Sequence, residues 1–413
     1  MERAELARAL GAPTIAAEPR DRQICESEPE RFMAAFTQAV AEGGNVFLCD
    51  PTWGASERAQ SAALIQSEIQ NPKSETGHGW LMIPSGGTGG KIKFARHDQD
   101  TIFAAVRGFS AHFAVSPVHA IGVLPLHHVS GLMAWMRCVL TGGKFTPWSW
   151  KDLEAGRLPD VAANDHFLSL VPTQLQRLLA QPAAAGWLGS FRAVFLGGGP
   201  AWPELLERAA EAGIPLALSY GLTETAAMAA ALRPEEFRSG QRSCGPVMPH
   251  ARIEVNGEGV LCVAGDSVFR GYFPSWRAER VFATEDLGLL DPRGHVHVTG
   301  RRDDVIITGG KKVRPAEVEA ALRATGEFAD VAVIGLPDAE WGQAIVACYP
   351  AEGRVPDLVR VGNAVAAQLA PHARPKRFVA VPAWPRNSQG KLNRTVLAAR
   401  LSAGGDPGGE RGR

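Results

Sequence analysis

Between Thr101 and Ser219 the chain repeats one unit: a short apolar run, an exit built from glycine or proline, then a stretch with helical spacing. Ile121–Leu124 leads into PLHHVSGL, and Phe167–Val171 ends at Pro172 before a helix over 173–180. Arg192–Leu196 ends in GGGP before a helix over 204–212, and Leu216–Ser219 ends in YGLTET. Strands that alternate with helices bury both their faces most simply as a covered, mostly parallel sheet, so an α/β fold is expected. Ligands in such sheets collect outside the strand exits. Chemistry is therefore expected in the exit sequences.

A single core stops growing near 250–300 residues, so 413 residues predict two or three folding units. The break is placed at TGRRDDVIITGGKKVRP, residues 299–315, where a charged, turn-prone segment, a β-branched run and a double glycine follow one another. The expected division is a multi-subdomain body over 1–300, a mobile C-terminal α+β domain over 301–402 and a disordered tail over 403–413. Within the body, helical spacing covers 32–39 and 59–69 with a strand at 46–49 between them. Short apolar pieces over 252–298 predict a small antiparallel subdomain. Beyond the break, helices are expected from Pro315, over 361–369 and after Asn393, and strands at 331–334, 345–349 and 378–381.

Zero formal charge gives no electrostatic reason to expect nucleic acid or an acidic membrane as partner. Six cysteines without a CxxC pair suggest reduced thiols in a cytoplasmic protein. The charged start MERAELARAL and the absence of any apolar run near 18 residues argue against secretion and integral membrane insertion.

The strand Leu81–Ile83 runs into PSGGTGGKIKF. Ser85, Gly86, Gly87, Thr88, Gly89 and Gly90 could surround phosphate oxygens with backbone N–H groups and hydroxyls while Lys91 or Lys93 supplies charge; an ordinary turn is the competing reading. It is not a Walker A loop, because Ile92 follows the lysine where Ser or Thr is required. His127 and His128 stand at a strand exit, as ligand-facing groups or as packing and capping histidines; no third metal ligand lies at helpful spacing. Gly197, Gly198 and Gly199, with Pro200, could admit a flat ring or merely turn the chain. In YGLTET, Tyr220 and Gly221 precede Thr223, a hydroxyl, and Glu224, a carboxylate able to hold Mg2+ or to cap a helix. Asp286 in TEDLG could accept from two ribose hydroxyls or be a solvated turn residue. Lys391 lies in the polar turn PRNSQGKLNR, as most solvated lysines do.

Taken in order, these segments resemble the adenylate-forming superfamily, the acyl-CoA synthetases and related ligases, from about Leu81 to Arg394. The resemblance implies that Ser85 to Lys93 embraces the ATP β- and γ-phosphates, that Gly197–Pro200 and Tyr220–Gly221 hold adenine, and that Thr223 and Glu224 contact phosphate and Mg2+. It further implies that Asp286 and Arg301 hold the ribose, that Lys391 reaches the acyl carboxylate and α-phosphate, and that Asp303 is the hinge. Gly86, Gly89 and Ile92 depart from the usual family loop, whereas Lys93 keeps its lysine register. The compact N-terminal part and this loop are most similar to the 2-succinylbenzoate-CoA ligases of menaquinone and phylloquinone biosynthesis, in which His128 would lie beside the acyl and pantetheine channel. Implied partners are a small carboxylic acid, ATP, CoA and Mg2+, with a homodimer left open. Another aryl or acyl acid, a carrier-protein acceptor in place of CoA, and a non-catalytic binding role are the alternatives. Leu132, Trp135 and Met136, with His128 and Ser130, could line an acid pocket or belong to the core.

Overall fold

The computed structural model describes residues 2–12, 18–70, 79–86, 92–352, 355–386 and 392–403. Its first sheet has the order β1 (Arg20–Ile24), β2 (Gly43–Leu48), β3 (Leu81–Gly86) and β4 (Ile92–His97). The first three strands are parallel and β3–β4 is antiparallel. The helix Pro29–Glu42 ends with Gly43 at φ +78, a left-handed C-cap from which β2 begins directly. β1 was not anticipated, since its exposed charged residues RDRQ hide the strand signal.

The repeated unit forms the second sheet: β5 (His119–Gly122), β6 (Phe145–Pro147), β7 (His166–Leu170), β8 (Ala193–Leu196), β9 (Leu216–Leu222) and β10 (Ala227–Ala231). Their spatial order is β10-β9-β8-β7-β5-β6, parallel except for the antiparallel β9–β10 edge. β5 ends two residues before the expected strand, leaving Val123–His128 as a longer exit. Proline opens the helices Pro172–Leu179, Pro182–Gly189, Pro234–Arg238 and Pro315–Ala324, where its missing N–H costs nothing.

The antiparallel subdomain contains β11 (Ala251–Val255), β12 (Val260–Gly265), β13 (Val281–Leu290) and β14 (Val296–Arg301) in one sheet. β13 is the strand that the sequence reading lacked. The segment after it is a hairpin of β15 (Ile306–Thr308) and β16 (Lys311–Val313), with Gly309 and Gly310 at φ +53 and +74. Two consecutive positive φ values are what a two-residue hairpin turn demands, so the double glycine closes a hairpin. The sheet β17 (Ala332–Asp338), β18 (Gly342–Pro350) and β19 (Arg377–Val381) completes the fold, antiparallel then parallel.

The chain divides into two units: 1–201 with 205–284 and 289–298, and 202–204 with 285–288 and 299–413. The division passes through β13 and β14. Among the described residues no helix is long and apolar enough to cross a membrane, and all six cysteines are free, with Cys49, Cys138 and Cys348 buried.

One helix shows how a poor helix former is retained. Gly108 lies in the middle of Gln99–Phe113, where glycine costs about 1 kcal/mol relative to alanine. A Cβ there would come within 1.8 Å of His250 Nδ1 and 2.9 Å of His250 Cβ. The imidazole, anchored through Nε2 on the Met228 carbonyl at 3.0 Å, occupies the space. Gly108→Ala should therefore destabilise the N-terminal unit by about 1–3 kcal/mol through overpacking. In a His250→Gly background, which removes the Cβ contact as well as the ring, the same change should stabilise it by up to about 1 kcal/mol. Urea unfolding of the four proteins measures both signs, and a stabilising Gly108→Ala in the unaltered chain would contradict the packing argument.

Candidate active site

Strand β9 ends at Leu222, a single 3-10 turn spans Thr223–Thr225, and β10 returns beside β9. The return requires Gly221, because a Cβ there would lie 1.8 Å from the Ala227 carbonyl oxygen. It also forces Ala226 and Ala227 to φ +52 and +77, a region that costs L-residues about 1–2 kcal/mol each. Thr225 ties the turn, its hydroxyl accepting from Leu222 N at 2.9 Å and donating to the Ala227 carbonyl at 2.7 Å.

This turn fixes Glu224, which is 6% exposed. Its Oε1 accepts from the Ser85 hydroxyl and the Tyr272 hydroxyl, both at 2.6 Å. Lys93 Nζ lies 5.1 Å from the centroid of the Tyr272 ring, in cation–π range. The structure thus brings Ser85, Lys93 and Glu224 together through Tyr272, a residue the sequence reading missed because its only signal is one of two adjacent aromatics in RGYF. Gly86 ends β3 opposite Ile92; Gly87, Thr88, Gly89 and Gly90 lie outside the described residues. Both of these hydrogen bonds fall on Oε1 and neither engages Oε2. A buried carboxylate with one oxygen held by two hydroxyls fits Mg2+, which commonly takes one protein carboxylate and fills its remaining positions with phosphate and water.

His97, also missed, holds the backbone beneath. Burial pushes its pKa down to about 4, so the ring is neutral near pH 7. Because a carbonyl only accepts, Nε2 carries the proton and donates to Thr223 O at 2.8 Å, leaving Nδ1 facing the Thr101 hydroxyl at 3.0 Å. The neighbouring Asp98 caps the helix Gln99–Phe113 through Thr101 N and forms a buried ion pair with Arg270 Nε at 2.6 Å.

The glycine-rich exit of β8 divides by position. A Cβ at Gly197 would meet Ser219 Oγ at 2.8 Å, Gly198 needs φ +77, and Gly199 has open space around it. Pro200 follows on the exit, and the Tyr220 ring is buried with Ala95, Val268 and Phe269. His128 stands at the N-cap position of the helix Val129–Thr141 without a side-chain capping hydrogen bond, and Gly131 allows the PLHH segment to lie against the first turn, since a Cβ there would stand 2.3 Å from Pro125 O. The absence of a third metal ligand is corrected here. Asp50, just past β2, places its carboxylate 3.6 Å from His127 Nε2 and 3.9 Å from His128 Nε2. Leu132, Trp135 and Met136 are buried in one core cluster with Phe36 and Leu81.

In the second unit Asp286 lies on β13 and is 6% exposed, which replaces the solvated-turn alternative. Arg301 binds Asp303 through both Nε and Nη2 at 2.8 Å and reaches Asp286 Oδ1 at 3.2 Å. Burial alone would lower the Arg301 pKa; the Asp303 hydrogen bonds and the charges of Asp303, Asp286 and Asp304 outweigh it and hold the guanidinium above its ordinary value. Lys391 lies outside the described residues, but its flanks do not. Arg386 and Leu392 form an antiparallel bridge, Arg386 pairs with Asp330, and Arg394 donates to buried Glu319 at 2.7 Å.

Residues 13–273 match the AMP-binding enzyme family, and residues 317–391 match the AMP-binding enzyme C-terminal domain. The chain is a member of the AMP-binding enzyme family. It is similar to the 2-succinylbenzoate--CoA ligase of Enterococcus faecalis, 30% identical over 357 residues that cover 80% of this chain and 71% of that protein. It is also similar to the indoleacetate--CoA ligase of Aromatoleum aromaticum, 30% identical over 335 residues covering 76% and 66%. The matched region spans only 60% to 61% of several other 2-succinylbenzoate--CoA ligases. Among solved structures, o-succinylbenzoate CoA synthetase of Bacillus subtilis in complex with the acyl-adenylate intermediate OSB-AMP shares the fold, with TM-score 0.78 at 23% identity over 100% of this chain and 92% of that one.

His97 generates a pH dependence with a defined sign. In the native state it resists protonation down to about 4, whereas an unfolded histidine protonates near 6.5. Between those values the unfolded chain binds more protons, so stability falls as pH falls, by about 1.4 kcal/mol per pH unit from this group, with no contribution above 6.5. Unfolding free energies at pH 4.5–7 should show a shallower slope for His97→Gln than for the unaltered chain; parallel slopes would contradict a buried neutral His97.

Proposed function

We propose that this AMP-binding enzyme is an ATP-dependent acid–CoA ligase, and that its acid is 2-succinylbenzoate. The observation that carries the ligase reading is the buried Glu224 carboxylate, held by Ser85 and Tyr272 beside Lys93 at the base of a glycine-rich loop. Such an arrangement suits the triphosphate of a nucleotide: cation and hydroxyl toward phosphate oxygens, carboxylate toward the accompanying metal. Bound with the nucleotide and held by Glu224, Mg2+ would offset charge on the phosphates.

In the first half-reaction an acid carboxylate oxygen attacks the ATP α-phosphorus, the bond to the bridging oxygen of the β-phosphate breaks, and pyrophosphate leaves. Lys391 offsets the charge developing on the α-phosphoryl group. Gly197–Pro200 and Tyr220–Gly221 form the adenine side, Thr223 contacts phosphate, and Asp286 accepts from the ribose hydroxyls with Arg301 beside it. In the second half-reaction the CoA thiolate attacks the acyl carbonyl, the carbonyl carbon–oxygen bond to AMP breaks, and the thiol proton passes to solvent. The C-terminal domain turns about Asp303 between the two, withdrawing Lys391, because one site serves two transition states. His128 flanks the acyl channel.

Two tests separate the parts. Lys391→Ala should slow adenylate formation by about 100-fold or more and leave thioester formation from presynthesised acyl-AMP much less affected. Equal losses in both half-reactions would remove that division of labour. For the acid, kcat/KM for 2-succinylbenzoate should exceed that for indole-3-acetate, benzoate, 4-chlorobenzoate and medium-chain fatty acids by at least about 100-fold, because a site built for a second charged group rejects acids that lack it. A preference for any of these monocarboxylates would leave the ligase standing and withdraw the succinylbenzoate assignment. Adenylate formation without any CoA thioester would favour a carrier-protein acceptor.

A further inference from the structure

We infer that Asp50, His127 and His128 form a binding site for a late first-row divalent ion of the zinc class, separate from the Mg2+ of the nucleotide. Their ligand atoms all lie within 4.8 Å of one another. Two ligands at about 2.1 Å from a tetrahedral ion stand about 3.4 Å apart; the observed separations of Asp50 from the histidines are 3.6 and 3.9 Å. The two Asp50 separations, one from each carboxylate oxygen, are within about 0.5 Å of that spacing, and the remaining pair lies within 4.8 Å, so side-chain rotation would close the set on an ion. His127 supplies the second observation. Its side chain is 5% exposed and its Nε2 makes no hydrogen bond among the described residues, although it points at a carboxylate too distant to accept one.

The framework is held in place before any ion arrives. Thr52 donates to Asp50 Oδ1 through its backbone N–H at 2.8 Å and its hydroxyl at 2.7 Å. His128 N donates to Pro125 O, and Leu132 N to His128 O, fixing the histidine pair at the helix start. The two imidazole rings sit 4.3 Å apart between centroids. Two imidazole nitrogens and one carboxylate suit zinc, and nickel or cobalt in its place, whereas Mg2+ demands oxygens. A fourth position remains for water, as in open three-ligand sites. Because the ligands come from the ends of β2 and β5, the ion would tie the first sheet of the N-terminal unit to the second.

Calorimetry on the full chain tests this after EDTA treatment and dialysis, with ZnCl2 titrated against a millimolar Mg2+ background. One zinc per chain should bind at micromolar affinity or tighter and raise the thermal midpoint. Asp50→Asn and His127→Gln should each weaken binding at least about tenfold, and Cys25→Ser should leave it unchanged. A Co2+ spectrum of the unaltered chain does not depend on the variants folding: d–d bands of a nitrogen and oxygen site are expected, without thiolate charge transfer. Thiolate bands, the absence of binding by the unaltered chain, or unchanged affinity in both folded variants would each overturn the site.

Discussion

Two hydroxyl hydrogen bonds onto one oxygen of a buried carboxylate organise the N-terminal unit. An ionised carboxylate out of water carries a penalty of several kcal/mol unless its lone pairs are satisfied. Glu224 meets that demand at Oε1 with Ser85 from β3 and Tyr272 from the segment after β12. Three chain regions must therefore converge within hydrogen-bond length on one side chain. The backbone supports the same point, with Phe269 N donating to Glu224 O and His97 to Thr223 O. Loss of any one contact leaves a charge under-satisfied, and this coupling ties the fold to the chemistry proposed for it.

The alternating core of the fold was legible because its signal is local. Runs such as Phe167–Val171 and Arg192–Leu196 carry their own exits, and the structure moves their ends by a residue or so. What stayed hidden was set by partners distant in sequence. Ala227–Ala231, AMAAA, has strong helix propensity yet is a wholly buried strand, because pairing with β9 outweighs a preference worth tenths of a kcal/mol per residue. Asp286 sits in a run of charged, small and apolar residues without clear alternation, so β13 was unreadable although it lies between β12 and β14. Asp50 meets His127 and His128 only because the ends of two separate sheets come together, which no local spacing encodes. Ser85, Lys93 and Glu224 were readable as types; their convergence through Tyr272 was not.

The second unit handles charge differently. Arg301 and Asp303, both partly exposed, form one network with buried Asp286, and one guanidinium serves two carboxylates. Around Arg394 the carboxylate is more deeply buried: Glu319 is 1% exposed, and its second donor is the Val333 backbone N–H at 2.8 Å. That pair is built to stay. The Arg386–Leu392 bridge and the Arg394–Glu319 pair thus order the chain on either side of residues 387–391.

The two alanines held at positive φ after the TET turn have a further meaning. Glycine would adopt those angles without strain, and a chain selected for stability alone would carry it there. Alanine retains a methyl group at each position, both buried, and with it a narrower range of backbone angles. The turn therefore has fewer ways to deform than a glycine turn would have, and the direction in which Glu224 points is limited by the chain itself as well as by its hydrogen bonds. In mechanical terms the carboxylate is mounted on a preloaded joint, with the play removed before any ligand arrives.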